Sequence, residues 1–163
     1  MNVRFIDTSI LLNILDVPGR NQNKDEVIEE FKSLIRGQTE TLILPLATII
    51  ETGNHIAHIS NGNVRREKAN LLSEFLLKTA NGEAPWEYYG KELSAEDLIH
   101  IANDFPNMAM AQSTGIGDLS IIRAFEKYKE TVPAIGTIMI WSIDAHLQSY
   151  KEEMAGRKRR RDQ

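Results

Sequence analysis

Apolar residues are arranged along the chain in two patterns that alternate: short continuous runs, and longer segments with helical spacing. Short, nearly continuous apolar runs at 3–6, 41–44 and 137–143 predict buried strands. Between these runs apolar residues recur at helical spacing, as in the segment 25–35, where the positions are Val27, Ile28, Phe31, Leu34 and Ile35. The chain therefore alternates between predicted strands and predicted helices.

The same spacing predicts helices over 46–59, 64–79, 118–128 and 145–154, and a first helix that ends near Pro18. Thr8 or Ser9 is the expected cap of that first helix. Another helix should start at Ser94 and stop before Pro106, with a further turn or two at 108–112. A short strand is expected near 86–89.

Strand–helix alternation implies parallel strand pairing with helices on both faces of the sheet. The predicted fold class is α/β, a three-layer α/β/α arrangement around a central, mostly parallel sheet. Residues 1–156 are expected to form one domain. The segment 157–163 is expected to be a disordered basic tail that either grips RNA or a partner weakly or is simply solvated.

Four acidic residues lie where an apolar run gives way to a helix, or just inside the helix that follows: Asp7, Glu51, Asp118 and Asp144. In a parallel α/β sheet the carboxyl ends of the strands share one edge, where ligands bind. Two carboxylates roughly 5 Å apart repel each other by about 3 kcal/mol at an effective dielectric constant near 20. A hard divalent cation relieves that repulsion, and Mg²⁺ or Mn²⁺ prefers such oxygen ligands. The pattern predicts a metal-dependent phosphodiester hydrolase.

Composition sets limits on this hypothesis. The 163 residues are 42% hydrophobic and 26% charged, which is typical of a soluble globular domain. The absence of cysteine excludes disulfides and thiolate metal sites. No apolar run approaches the about 20 residues of a membrane span, and the first residues do not form a signal peptide, so we expect a cytoplasmic protein without membrane association.

The segment 5–9, with the sequence Phe-Ile-Asp-Thr-Ser, resembles the opening of PIN-domain nucleases. Glu51 is similar to the Glu that this family carries on the helix after its second strand. Asp118, in the segment 117–122, resembles the family's third acid, and Asp144, in the segment 141–147, resembles its fourth. The resemblance extends over nearly all of residues 1–150, although the segment 64–112 is long for the family.

PIN domains are metal-dependent nucleases that commonly act on RNA, and many bacterial members are VapC-type toxins paired with an antitoxin. The resemblance implies that four acids are catalytic and hold one or two Mg²⁺ or Mn²⁺ ions: Asp7, Glu51, Asp118 and Asp144. It also implies a set of hydroxyl side chains that orient the carboxylates or a water molecule: Thr8, Ser9 and Ser142. By the same likeness we expect an RNA substrate, an antitoxin partner and a homodimer.

The expected chemistry is in-line hydrolysis of an RNA phosphodiester, as in an endoribonuclease that acts as a toxin. A cation lowers the pKa of water and stabilises charge on the phosphate, while Asp7 or Asp118 orients or deprotonates the water. The alternative is a PIN-like module that binds RNA or protein without catalysis. A third hypothesis is a carboxylate-metal phosphatase that acts on small molecules.

Individual residues also have simpler interpretations. Asp7 and Asp144 could serve only as helix caps. His55 and His58 could form a zinc site with nearby carboxylates, but exposed histidines on a polar helix face are the preferred interpretation. His146 could donate a proton to the leaving group, but a surface position is preferred.

Aromatic and sulfur-containing side chains offer weaker signals. The cluster of Trp86, Tyr88 and Tyr89 could stack on bases, but core or dimer packing is preferred. Met108 and Met110 are expected to fill the core.

Overall fold

The computed structural model describes residues 1–91 and 93–154. The amino-terminal half contains β1 (Asn2–Ile6), α1 (Thr8–Ile14), α2 (Lys24–Gly37), β2 (Glu40–Pro45), α3 (Leu46–Ala57) and α4 (Gly62–Ala80). The carboxyl-terminal half contains β3 (Glu87–Tyr89), α5 (Ala95–Gln112), α6 (Ile116–Thr131), β4 (Thr137–Trp141), α7 (Ala145–Gln148) and β5 (Lys151–Glu153).

The strands form one sheet in the order β3-β2-β1-β4-β5. All pairs are parallel except β4 with β5. The chain builds outward from β1 through β2 to β3 and then crosses to the other side of β1, where β4 lies. This reversal is a topological switch point, and a crevice opens outside the carboxyl ends of β1 and β4.

Helices cover both faces of the sheet, so the predicted three-layer α/β/α class is confirmed. Alternate residues of β1 enter different cores, because successive strand side chains point to opposite faces. Ile6 packs with the residues of α1 and with Leu42 and Leu44 on one face. Phe5 packs against Phe125 of α6 on the other face, at a centroid distance of 6.2 Å.

Helix α3 contacts α1, α4 and α6, so it joins elements that belong to both faces. Its buried Thr48 donates a hydrogen bond of 2.7 Å from Oγ1 to the carbonyl oxygen of Ile6, the last residue of β1. The start of α3 is thereby fixed against the carboxyl end of the central strand.

Two predicted helix boundaries are wrong. Helix α5 does not stop before Pro106 but continues through it to Gln112. The closing helix does not reach position 154, since α7 ends at Gln148 and β5 adds an antiparallel edge strand to β4. The strand predicted over 137–143 is also shorter than expected, since β4 ends at Trp141.

Two smaller expectations also fail. The side chain that caps α1 belongs to Asp7, which accepts a hydrogen bond from the backbone of Ser9, and not to Thr8 or Ser9. Met110 is 88% exposed and therefore does not fill the core. The expected basic tail, 157–163, lies outside the described residues.

The aromatic cluster divides between two core regions and the surface. Trp86 is buried and stacks on Phe31 at 6.0 Å, and Tyr89 packs edge-to-face against Phe5 at 5.9 Å. Tyr88 is half exposed. Packing, the preferred interpretation, accounts for Trp86 and Tyr89. Within residues 1–91 and 93–154, no helix combines the length and apolar character that a bilayer span requires.

Candidate active site

Asp7 stands directly after the central strand at the switch point. Its backbone N–H donates to the carbonyl oxygen of Trp141 at 3.0 Å, which fixes it beside the end of β4. Its Oδ2 atom accepts hydrogen bonds from Ser9 Oγ at 2.7 Å and from Ser142 Oγ at 2.8 Å. Among the described residues no donor reaches Oδ1. The carboxylate is therefore oriented through one oxygen while the other stays free.

The two serine hydroxyls are themselves oriented by backbone donors. Ser9 Oγ accepts from the N–H of Ile143 at 3.0 Å, and Ser142 Oγ accepts from the N–H of Asp144 at 2.9 Å. Because each hydroxyl has a single proton and receives a backbone N–H, its own proton is directed to Asp7. The loop after β4 thus positions a carboxylate that follows β1.

Glu51 approaches the same place from α3. Its Oε2 accepts a hydrogen bond from Thr8 Oγ1 at 2.8 Å. Its Oε1 lies so close to Gly117 that a Cβ atom on this residue would overlap it. The missing side chain at Gly117 is what allows the first turn of α6 to approach the Glu51 carboxylate.

Asp118 occupies that first turn of α6. The pKa of Asp118 is raised to about 6, mainly by burial and to a smaller extent by the negative charges of Asp7, Glu51 and Asp144. No lysine or arginine among the described residues forms an ion pair with any of these four carboxylates. They therefore form an uncompensated acidic centre.

A cavity of about 260 Å³ opens between these elements. Its wall includes three of the four predicted acids together with hydroxyl, amide and basic side chains: Asp7, Thr8, Ser9, Asn13, Arg20, Gln22, Asn23, Glu51, His55 and Asp118. The volume lies below the roughly 300–1,000 Å³ typical of pockets for drug-sized ligands, so it suits an ion and a phosphate group better than a whole nucleotide.

Asp144 is placed differently from the other three acids. It is exposed, does not line the cavity, and caps α7 by accepting from the N–H groups of His146 and Leu147 at 2.8 and 3.4 Å. Its charge still reaches Asp118. The capping interpretation describes the contacts of Asp144, whereas Asp7 both caps α1 and faces the cavity.

The donor set fits a hard divalent cation in its chemistry. Three carboxylates share one cavity, and Asp7 presents a free, oriented oxygen to it. Within the described ranges, however, no three carboxylate or imidazole side chains lie close enough together, as they stand, to hold a metal ion. The acids that line the cavity, and that an ion placed there would meet, are Asp7, Glu51 and Asp118, whereas Asp144 lies outside its wall.

Several polar residues at this site were not singled out from the sequence. Asn13 is 3% exposed, donates to Ser9 O at 2.8 Å and accepts from Asn23 N at 3.0 Å. Asn13 could have been found from the sequence, because it is a polar residue among the apolar residues of the first helix. Arg20 and Gln22 line the cavity from a loop, and their sequence context gave no such signal.

The histidines do not form a paired site. His55 lines the cavity, whereas His58 is exposed and its Nδ1 lies 2.6 Å from the carbonyl oxygen of Asn54. His146 lies in α7 with its ring edge-on to Tyr150 and does not line the cavity. The zinc arrangement expected as the alternative is therefore not assembled in the described residues.

No protein-family model matches the sequence, and no curated protein matches it. Solved structures do match. VapC20 of Mycobacterium tuberculosis, described as a toxin that cleaves the sarcin-ricin loop, aligns with a TM-score of 0.58 at 10% identity over 90% of this chain and 93% of that one. FitAcB from Neisseria gonorrhoeae aligns with a TM-score of 0.52 at 17% identity over 86% and 87% of the two chains.

VapBC2 from Rickettsia felis, bound to a DNA fragment from its promoter, aligns with a TM-score of 0.49 at 12% identity, over 86% of this chain and 99% of that one. At these identities the likeness concerns the fold. The chain has the PIN-domain fold of VapC-like toxins, so the resemblance drawn from its motifs is confirmed at the level of the fold.

Proposed function

We propose that this protein is a metal-dependent endoribonuclease of the VapC toxin type. The observation that carries the proposal is the convergence of Asp7, Glu51 and Asp118 from three separate segments on one small cavity, where none of them is ion-paired to a lysine or arginine among the described residues. The fold, shared with a toxin that cleaves the sarcin-ricin loop, supports the same activity. A chain with no use for a metal would gain stability by replacing one of these carboxylates.

When bound, Mg²⁺ or Mn²⁺ would lower the pKa of water and neutralise charge on the scissile phosphate. Asp7 would hold the ion through Oδ1, because Ser9 and Ser142 occupy Oδ2. Glu51, whose Oε2 is occupied by Thr8, would be a second ligand. Asp118 accepts no side-chain hydrogen bond among the described residues, so its carboxylate would orient the attacking water and accept its proton.

Removal of one carboxylate tests the catalytic assignment. Asp7→Asn and Asp118→Asn keep nearly the same shape but lose a negative charge. We expect each to abolish metal-stimulated cleavage of RNA, measured by gel electrophoresis with a chelator control, while circular dichroism shows an intact fold. Cleavage at the wild-type rate by either variant would contradict the assignment.

A binding module without catalysis is the second candidate. The exposed position of Asp144 favours it, because this acid is engaged as a helix cap rather than directed into the cavity. Such a module would bind RNA with no cleavage in Mn²⁺. A small-molecule phosphatase would instead turn over simple phosphate esters and leave RNA intact.

Partners belong to the same proposal. An apolar groove of about 390 Å³ adjoins the cavity, and Leu46, Ile50 and Ile116 on its wall are each about half exposed. We propose that a second copy of the chain covers this groove and that a separate antitoxin restrains the enzyme. Light scattering after gel filtration should give a dimer for wild type and a monomer for Ile50→Glu. A monomeric wild-type protein would contradict the homodimer.

A further inference from the structure

The loop between α1 and α2 is built to a fixed shape. Asp16 and Gly19 adopt positive φ angles of 55° and 79°. The carboxylate of Asp16 accepts from Asn21 Nδ2 at 2.7 Å and from Lys24 Nζ at 3.1 Å. A left-handed conformation at a non-glycine residue costs of order 1 kcal/mol or more, so these contacts are needed to maintain it.

This loop is tied directly to the candidate active site. The buried side chain of Asn13 bridges the two by donating to the carbonyl oxygen of Ser9 and accepting from the backbone N–H of Asn23. Ser9 in turn donates to Asp7. The loop is therefore held at a defined position relative to the first carboxylate.

Arg20 extends from the loop as a cationic side chain of the cavity wall. It is the single lysine or arginine among the described residues that line the cavity. Within that same part of the chain its guanidinium has no ion pair and no hydrogen-bond partner, whereas Lys24, the first residue of α2, pairs with Asp16. Burial, and after it the charge of Arg20, lowers the pKa of His55.

An unpaired guanidinium beside three carboxylates calls for an explanation. The carboxylates attract it, yet the exposed Arg20 side chain forms no ion pair with any of them. A phosphodiester approaching this cavity is itself repelled by the acids. A guanidinium is suited to oppose that repulsion, because its planar array of N–H donors matches two phosphate oxygens.

We propose that Arg20 binds an RNA phosphate at the mouth of the cavity and sets the register of the strand relative to Asp7, Glu51 and Asp118. This assignment rests on the proposed ribonuclease function and extends it to the substrate. Arg20 contributes through binding, and the carboxylates carry the chemistry. The amide side chains of Gln22 and Asn23 line the same cavity.

The test measures binding separately from cleavage. In an Asp7→Asn background, fluorescence anisotropy with a labelled single-stranded RNA of randomised sequence gives the dissociation constant at several salt concentrations in Mn²⁺. Arg20→Gln should weaken binding about tenfold, as expected for one charge-assisted hydrogen-bonded contact. It should also reduce the slope of log affinity against log salt by about 0.7, the value for one phosphate contact on a single strand.

Two further variants exclude simpler causes. Arg20→Lys should restore the salt slope but only part of the affinity, because an ammonium keeps the charge and loses the two-point contact. Arg66→Gln removes an exposed arginine of α4 that does not line the cavity, and it should bind RNA like the parent. Thermal unfolding of Arg20→Gln should match the parent, which separates a binding role from a structural one.

The outcomes separate this inference from the proposed function. If RNA binding by Arg20→Gln equals that of the parent in affinity and salt slope, the inference is wrong even when the wild-type protein cleaves RNA. If binding depends on Arg20 and the wild-type protein does not cleave, the inference stands and the nuclease proposal falls. Absence of RNA binding by the parent would overturn both.

Discussion

Gly117 matters to the candidate site because its neighbour across the cleft is a carboxylate oxygen. A Cβ at this position would overlap Glu51 Oε1, whereas a Cβ at Gly115 would meet nothing within 4 Å. Neither residue has a positive φ angle, so the difference between them is one of space. The pair provides a matched comparison two residues apart.

We expect Gly117→Ala to displace the Glu51 carboxylate and to lower the rate of metal-stimulated RNA cleavage by about 100-fold, since a 1 Å misplacement costs that much. Gly115→Ala should retain near wild-type activity. Initial rates at saturating Mn²⁺ measure both. Equal activity of the two variants would mean that the position of Glu51 is unimportant.

Ser142 orients Asp7 without lying among the carboxylates. Its removal in Ser142→Ala leaves Oδ2 of Asp7 with one hydroxyl donor fewer and leaves the N–H of Asp144 without its acceptor. Loss of a partner that orients a ligand weakens metal binding by about 10–100-fold. Titration calorimetry with Mn²⁺ checks this, with Ser33→Ala on the exposed side of α2 as the control. An unchanged affinity would exclude the orienting role.

At this scale the sequence predicted the convergent acids better than it predicted their surroundings. Asp7 and Asp118 were recognisable because each adjoins an apolar run whose secondary structure the periodicity identifies. Arg20 was not recognisable, because its place at the cavity depends on a loop conformation that rests on Asp16 and Asn21. Loop geometry of that kind follows from particular hydrogen bonds and has no periodic signal.

Helix α5 shows how tertiary contacts extend an element beyond its local signals. Its start matches the predicted Ser94 cap, with a complete capping box to Asp97. Pro106 removes one backbone donor from the interior, which normally ends or bends a helix. The helix packs against α6, and Asp97 near its start is bonded to Arg123 and Lys127 of that helix. A rule based on proline alone therefore placed the end too early.

Asp97 anchors α5 to α6. It is 1% exposed and accepts from Arg123 Nε at 2.8 Å and from Lys127 Nζ at 2.7 Å. Burial alone would raise its pKa, but the hydrogen bonds from Lys127, Ser94 and Arg123 hold the pKa of Asp97 well below its usual range. Its contribution to stability is therefore present at neutral pH and is lost as the pH falls below about 4, the unfolded value.

Asp97→Ala should lower the free energy of unfolding by about 3 kcal/mol, because it leaves two partly buried cations without their partner. For a protein of this length that corresponds to a decrease in Tm of about 10 °C. Glu96→Ala, at an exposed first-turn position of the same helix, should change Tm by about 1 °C. Differential scanning fluorimetry at pH 7 compares them. Similar values for the two variants would show that Asp97 is not an anchor.

The carboxyl-terminal segment illustrates a second limit at the element scale. Apolar spacing over 145–154 predicted a helix, but Lys151–Glu153 pairs with β4 instead. The partner strand is already in place at the edge of the sheet, and three residues suffice to cover it. The pattern of apolar residues in one segment does not show that the edge of β4 is available for pairing.

The whole molecule brings remote segments together through its topology. The order β3-β2-β1-β4-β5 places the ends of β1 and β4 side by side, although they are separated by about 135 residues of chain. The three-layer class was predictable, because alternation of strands and helices leaves few other arrangements. The position of Asp144 outside the cavity was not predictable, since it depends on how the four-residue helix α7 begins.

Close carboxylates should destabilise the protein when no metal is bound. The folded pKa of Asp118, about 6, exceeds its unfolded value of about 4, so the folded state holds an extra proton between these limits. Stability of the metal-free protein is accordingly lost as the pH rises from about 4 to about 6. Asp118→Asn removes this dependence.

We therefore expect Asp118→Asn to raise the Tm of the chelator-treated protein by about 2 °C or more at pH 7 and to have no such benefit at pH 4. Added Mn²⁺ should raise the Tm of the wild-type protein alone, so that it exceeds the Tm of Asp118→Asn. Thermal unfolding curves across this pH range provide the measurement. A lower Tm for Asp118→Asn at pH 7 without metal would argue against repulsion at this site.

The central claim is that carboxylates from distant segments share a divalent cation. Electron paramagnetic resonance of Mn²⁺ measures this directly, because the signal of the aqueous ion decreases when the ion binds. We expect saturable binding to the wild-type protein and at least about tenfold weaker binding to Asp7→Asn and to Asp118→Asn. Equal Mn²⁺ binding by the wild-type protein and both variants, or no binding by any of them, would contradict it.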